Sequence, residues 1–280
     1  ITDEEAYLLR KVFNIHPLTI EDLFHPQVQV KIEEFPDYLF CVFYGIQKNR
    51  SIEMLELDFI IGDTFIITSH KVPIASFNEL KRNQERMSML LHKGKEYLFH
   101  RLLDGEMDNY LPVLEYLDDH IGEIETKVTI RPDKELLYQI LKLKRLLNHV
   151  KRTTLPQQEK MTALAKTETR FIPRKALPYF RDILDHSVRV SGTIDSYLQS
   201  INNTFDAYAS MMSQSMSEVM KMLSIIATIA LPLTVISSIY GTNFKILPGS
   251  DWPYGFWVMI LAMALLCAGM LYYFRGRKWI

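Results

Sequence analysis

The chain has 280 residues, with 32 Lys and Arg against 33 Asp and Glu, a net charge of −1 and a pI near 6.8. Nothing in that balance provides the basic face that nucleic acid requires, so no nucleic-acid partner is expected. Two cysteines, Cys41 and Cys267, are too few for a disulfide framework or a cysteine zinc centre, which fits a reducing compartment.

In chain order, the opening reads as a helix, with Thr2 as cap and Glu5 closing a capping box. A chain that opens on Ile1 rather than Met is read as lacking an N-terminal portion. "HPLTIEDLF" (16–24) is a second short helix, with Thr19 available as its cap. Three strands follow, over 38–46, 55–62 and 64–70, rich in β-branched and aromatic residues, with Gly62-Asp63 suited to the last turn. Residues 1–75 are therefore part of an α/β domain.

From 76 to 177 the pattern is helical, and Pro132, Pro156, Pro173 and Pro178 are expected to mark helix ends. The acidic stretch 115–128 reads as a solvated face. No proline then occurs until Pro232 and only Gly192 interrupts before it, so within 178–244 one helix is read from Pro178 through the first span to Tyr240. Such a helix would be on the order of 90 Å long. A helix of that length is expected to belong to a symmetric assembly.

Charge vanishes late in the chain. Met222–Phe244 and Phe256–Phe274 carry no charged residue over 23 and 19 positions, each enough to cross a bilayer core. Residues 245–255 form a short external loop, and 256–280 a second span with a basic end. Lys221, Arg275, Arg277 and Lys278 place both flanks in the cytoplasm by the positive-inside rule, giving a multi-pass protein of the cell membrane with both termini inside. Tyr254, Trp257, Tyr272, Tyr273 and Trp279 lie near the ends of the second span, where amphipathic rings favour the interface.

Within the first span and just before it, Ser217, Met220, Leu223, Ala227, Leu231, Thr234 and Ser238 recur every three or four residues and continue to Gly241. They share one stripe, apolar towards the domain and polar at the far end, without carboxylates. Such a stripe suits a pore for a hydrated cation, since Mg2+ sheds water reluctantly and hydroxyls or carbonyls can bond its waters. It suits equally the packing of helices in a membrane.

"EVMKMLSIIATIALPLTVISSIYGTNF" (218–244), the aromatic loop and "RGRKWI" (275–280), with "HPLTIEDL" (16–23) and "LPYFRDILDH" (177–186), resemble the CorA divalent-cation channels over essentially the whole chain. The resemblance implies a homopentamer with first spans lining a pore, second spans outside and a funnel of cytoplasmic domains. It also implies Mg2+ as substrate and regulatory ligand, with Co2+ and Ni2+ as companions. The family's Gly-Met-Asn signature reads Gly241-Thr242-Asn243 here, which makes these residues the selectivity filter and tips the stripe towards a pore. Gly241 tolerates left-handed geometry that could free a carbonyl at the helix end, and Asn243 offers a neutral amide oxygen to a hydrated ion or a cap to the helix. By the same resemblance Glu21, Asp22, Asp182 and Asp104 form an inter-subunit metal site that holds the channel shut. Lys31 and Arg181 are alternative partners for these acids, and His186, one turn beyond Asp182, reads as a surface histidine.

Two departures stand out. Thr242 replaces Met, and Lys245 and Asp251 alone charge the outer loop, so that lysines around a pore mouth would repel cations over ~8 Å. A zinc transporter of the same superfamily, with coupling to protons, is therefore the first alternative, and a non-conducting scaffold or divalent sensor the second. No phosphate loop, nucleophile constellation or catalytic metal motif occurs, and an enzyme is not expected.

Overall fold

The computed structural model describes residues 1–25, 29–130, 132–244, 247–249 and 252–279. The elements run α1 (Asp3–Lys11), α2 (Pro17–Phe24), β1 (Lys31–Glu34), β2 (Tyr38–Lys48), β3 (Ile52–Gly62), β4 (Ile66–Ser69), α3 (Ala75–Arg82), α4 (Gln84–Lys93), α5 (Lys95–Asp108), α6 (Tyr110–Ile130), α7 (Lys134–Lys166), a 3-10 turn (Arg174–Ala176), α8 (Leu177–Tyr240) and α9 (Gly255–Gly276). The architecture is an α/β N-terminal part, long helices and two apolar C-terminal helices. Residue contacts divide the chain into two compact units, Ile1–Ala207 and Tyr208–Ile280.

In the first unit the strands form an antiparallel meander in the order β1-β2-β3-β4, with Leu39 opposite Ile61 and Ile60 opposite Ile67. The first nine residues of β2, Tyr38–Ile46, are all buried, on both faces, which is why its sequence is a continuous apolar run rather than an alternation. Phe99 of α5 fills the space above the sheet, 5.0 Å from the Phe59 ring and 5.5 Å from that of Phe180. β1 is short and its register ends at Val42. Beyond it the Tyr44 N–H donates to Gln157 Oε1 (2.8 Å), while the Tyr44 carbonyl accepts from Tyr110 OH (2.9 Å) and Gln157 Nε2 (3.2 Å). A side-chain amide thus takes the place of a strand partner for a buried backbone.

Several expectations meet corrections. The Thr2–Glu5 capping box forms as read. Thr19, in contrast, is buried against Tyr38 OH (2.8 Å), and His16 caps α2 with Pro17 in the first turn. Sequence missed β1, whose four residues carry three charges and sit half-buried or exposed at an edge. Pro156 does not end a helix but lies inside α7, at a cost of ~3 kcal/mol. Burial of the next residues, Gln157, Met161 and Leu164, against the core holds α7 continuous across it. Pro173 and Pro178 flank the start of α8 as expected, and α8 is continuous through Gly192.

In the second unit, α8 and α9 are both long and apolar enough to cross a membrane, with almost no burial of their apolar stretches inside the chain. The chain just beyond α9 meets α8 at Lys221, whose Nζ donates to the Lys278 carbonyl (3.2 Å) and stands 5.8 Å from the Trp279 ring centroid. The connecting turn carries Gly249 at φ 82°, and a Cβ at Gly255 would fall 2.4 Å from the Gly249 carbonyl oxygen. Both glycines are needed for so tight a reversal.

Candidate functional site

The covered side of α8's apolar stretch comprises Ile225, which is buried, with half-buried Ile229, Pro232, Leu233 and Ile236, and that of α9 includes half-buried Met263, Cys267 and Met270 with buried Phe274. Each set is one helical stripe. At roughly 100° per residue, the stripe from Ser217 to Ser238 lies on the opposite side of α8 from Ile225 and Ile236. Every member of it, Ser217, Met220, Leu223, Ala227, Leu231, Thr234 and Ser238, is exposed. Thr234 Oγ1 donates to the Ala230 carbonyl (2.9 Å) within its own helix. With its proton spent there, that oxygen presents lone pairs outward, the polarity needed to accept from water on a cation.

Helix α8 ends just before the Gly-Thr-Asn triplet, and its end corrects one expectation. Gly241 does not adopt the left-handed conformation; its N–H continues the helical pattern to Ser237 O (2.9 Å). A Cβ there would press to 3.2 Å from that same oxygen, so Gly241 serves close packing of the last turn. The cap is supplied instead by Thr242, whose hydroxyl donates to the Ile239 carbonyl (2.8 Å). Asn243 is exposed immediately beyond. Lys245 and Asp251 lie outside the described residues.

A second constellation lies in the first unit. Ligand atoms of His100, Asp104 and Asp182 lie within 4.8 Å of one another, as do those of Asp104, Asp108 and His186. Helix α5 supplies His100, Asp104 and Asp108, every fourth residue on one face, and the start of α8 supplies Asp182 and His186. Arg101 donates to Asp104 Oδ2 (3.1 Å). Burial holds the His100 imidazole below its ordinary pKa, opposed by the charges of Asp104 and Asp182. Asp104 and Asp182 are thus brought together within one chain. Glu21 and Asp22 join neither group; Glu21 is exposed, and Asp22 pairs with Lys31 at 2.9 Å. The sequence does not mark His100 and Asp108 as candidate ligands, since no spacing brings α5 against the start of α8. His186 is half-buried rather than a surface residue.

A profile of the family described as CorA-like Mg2+ transporter protein matches residues 2–277. The chain belongs to this family. It is 31% identical over 272 residues to the cobalt/magnesium transport protein CorA of Thermotoga maritima, covering 96% of this chain and 78% of that protein. The complete structure of the CorA magnesium transporter from Methanocaldococcus jannaschii superposes with a TM-score of 0.89 at 22% identity, covering 100% of this chain and 89% of the other. The ZntB cytoplasmic domain from Vibrio parahaemolyticus superposes less closely, with a TM-score of 0.62 at 19% identity over 76% of this chain and 84% of that one. The protein is therefore a membrane protein of a transporter family, and α8 and α9 are its transmembrane helices.

Proposed function

We propose that the chain is a passive divalent-cation channel that admits Mg2+, and with it Co2+ and Ni2+, down the membrane potential. The observation that carries this reading is the exposed stripe of α8. Neutral oxygens line its far end, no carboxylate interrupts it, it faces away from the covered side of the helix, and it runs into Gly241-Thr242-Asn243. Arranged around a symmetry axis, such stripes make a wet, uncharged path that holds the waters of an ion without trapping the ion itself. A homopentamer of this chain, with both termini in the cytoplasm, is the assembly we assign. At ~2.3 kcal/mol per charge per 100 mV, a divalent ion gains about 4.6 kcal/mol on entry, so no other energy source is required.

Regulation follows from the carboxylates. Asp104 and Asp182 of one copy, with Glu21 and Asp22 of the next, would repel one another unless a divalent ion sat between them. High internal Mg2+ holds the ring together and shut; loss of Mg2+ loosens it. Kinship with the cobalt/magnesium transport protein of Thermotoga maritima supports the substrate, and the fold shared with a ZntB domain keeps zinc among the ions to test.

The deciding experiment is flux in proteoliposomes of the purified full chain, with Mg2+, Co2+, Ni2+ and Zn2+ compared with and without a proton gradient. Voltage-driven Mg2+ entry indifferent to the gradient is the expected result. Zinc flux that follows the proton gradient, with little Mg2+ entry, would replace the channel by a coupled zinc transporter.

A further inference from the structure

Helix α9 does not fray at its end. Lys278 stands in the left-handed region at φ 55°, its N–H donates to the Arg275 carbonyl (3.1 Å), and the Trp279 N–H reaches back to the Phe274 carbonyl (3.0 Å). This is the pair of hydrogen bonds that closes a helix when the residue just past its end turns left-handed. The Trp279 ring completes the turn, stacked on that of buried Phe274 with centroids 5.8 Å apart and planes 16° from parallel. Glycine or asparagine is the usual occupant of such a position. A lysine is held there against its own preference, which takes contacts from outside the turn.

Those contacts come from α8. Lys221 Nζ donates to the Lys278 carbonyl (3.2 Å) and stands over the Trp279 ring, 5.8 Å from its centroid. The turn thus presents a carbonyl and an aromatic face to one ammonium. Lys221 is half-buried, on the side of α8 that carries Ile225 one turn on. Met220, beside it, belongs to the exposed stripe, as does Leu223.

Among the described residues, no other hydrogen bond joins α8 to α9 or to the residues after it. The other covered side chains of the two helices are apolar. Apolar contact fixes the rotation of a membrane helix weakly, since lipid replaces any such neighbour at little cost. A hydrogen bond has a direction. We propose that Lys221 and Trp279 are positioning residues of the permeation path: with the Lys278 carbonyl they clamp α8 in the rotation that turns Met220 and Leu223 to the pore axis. The proposal rests on the reading of the α8 stripe as a pore wall. The clamp works through the fold of the turn and not through the charge of the tail. Removing the Lys278 side chain leaves its carbonyl in place, and glycine suits a φ of 55° better than lysine does.

The test is Mg2+ flux into proteoliposomes of the purified full chain, with maximal rate and half-saturating concentration measured separately. Trp279→Ala, which changes no charge, and Lys221→Gln should each lower the maximal rate by about threefold or more and leave half-saturation within about twofold, because the outer end of the stripe is untouched. Lys221→Arg should recover most of the rate, since a guanidinium makes both contacts. Lys278→Gly should stay within about twofold of wild type in both quantities. Rotation is read directly by labelling with a water-soluble methanethiosulfonate, above the background of Cys41 and Cys267. A thiol placed by Leu223→Cys should react and one placed by Ile225→Cys should not, and Trp279→Ala should bring the two together. Wild-type flux and labelling in Trp279→Ala would overturn the clamp. A loss in Lys278→Gly as large as that in Trp279→Ala would overturn it too, by giving the effect to charge. If Trp279→Ala does not assemble on size exclusion, Lys221→Gln decides alone by the same two readouts. The pore reading is judged separately: if the wild type admits no Mg2+, that reading fails, and labelling still decides whether the turn holds α8 in place.

Discussion

The two units of this protein obtain their order from different sources. In Ile1–Ala207, whole aromatic side chains disappear from solvent: Phe40, Phe59, Phe99, Tyr110 and Phe180 are fully buried. In Tyr208–Ile280 only Tyr208, Ile225 and Phe274 are buried among the described residues, although the segment is far more apolar. The first unit carries its own core. The second leaves its apolar surface uncovered by the chain itself, as a membrane helix can, because hydrocarbon tails are as good a neighbour for Leu as another Leu. Its few polar groups are therefore free of folding duty and can be spent on the ion.

That difference predicts opposite consequences for substitutions on the two sides. The largest effect should come from a residue that packs against nothing. Asn243→Ala is expected to reduce Mg2+ uptake in proteoliposomes to the background of empty vesicles while the oligomer survives on size exclusion. Wild-type flux in that variant would remove Asn243 from the filter. Phe99→Ala reverses the pattern. Truncating a fully buried ring should cost about 3–5 kcal/mol of stability in the first unit. Hydrogen exchange of the β2 and β3 amides would record the loss. All three tryptophans, Trp252, Trp257 and Trp279, belong to the second unit, so intrinsic fluorescence should remain as in the wild type. A shift of fluorescence as large as the loss of amide protection would mean that the units do not differ in this way.

The same contrast explains what could be read from sequence. The spans and the 64-residue α8 were visible because a membrane imposes its length and a long helix its lack of proline. β2 was visible because burial on both faces leaves a run of apolar residues, as does the buried end of β3 at 59–61. β1 was not, since "KIEE" owes its strand state to hydrogen bonds with β2 and not to its own side chains. Pro156 misled for a related reason: local propensity argues for a break, but Gln157 is committed to the Tyr44 backbone, 113 residues away. At the site, the stripe was a matter of spacing and therefore legible. The end of α8 was not, because Gly241 permits a left-handed turn without requiring one, and Thr242 could supply the cap with its own hydroxyl. The approach of His100 to Asp182 is a tertiary fact that no spacing announces. The step of four from His100 to Asp104 to Asp108 on α5 places them on one face and no more.

The smallest predicted effect concerns acid. Asp58 is buried in the first unit, and that burial, helped by repulsion from Glu56, raises its carboxyl pKa to about 7. Glu56, which accepts from Tyr44 OH at 2.5 Å, is raised as well, again by burial first. An unfolded Asp titrates near 3.9. Between about pH 4 and pH 7 the native chain therefore holds a proton that the unfolded chain has released, and stability falls as pH rises through that window. Above it, the native state keeps a buried charge. The second unit has only Glu218 and Asp251 as carboxylates, so this sensitivity should belong to the first unit alone. Amide protection in β3 is expected to decline from pH 5 to pH 8 in the wild type, and Asp58→Asn should flatten the decline, with tryptophan fluorescence constant throughout. Parallel slopes in wild type and variant would mean that Asp58 is ionised in the native state across the whole range, and that the Ser69 hydrogen bond outweighs its burial.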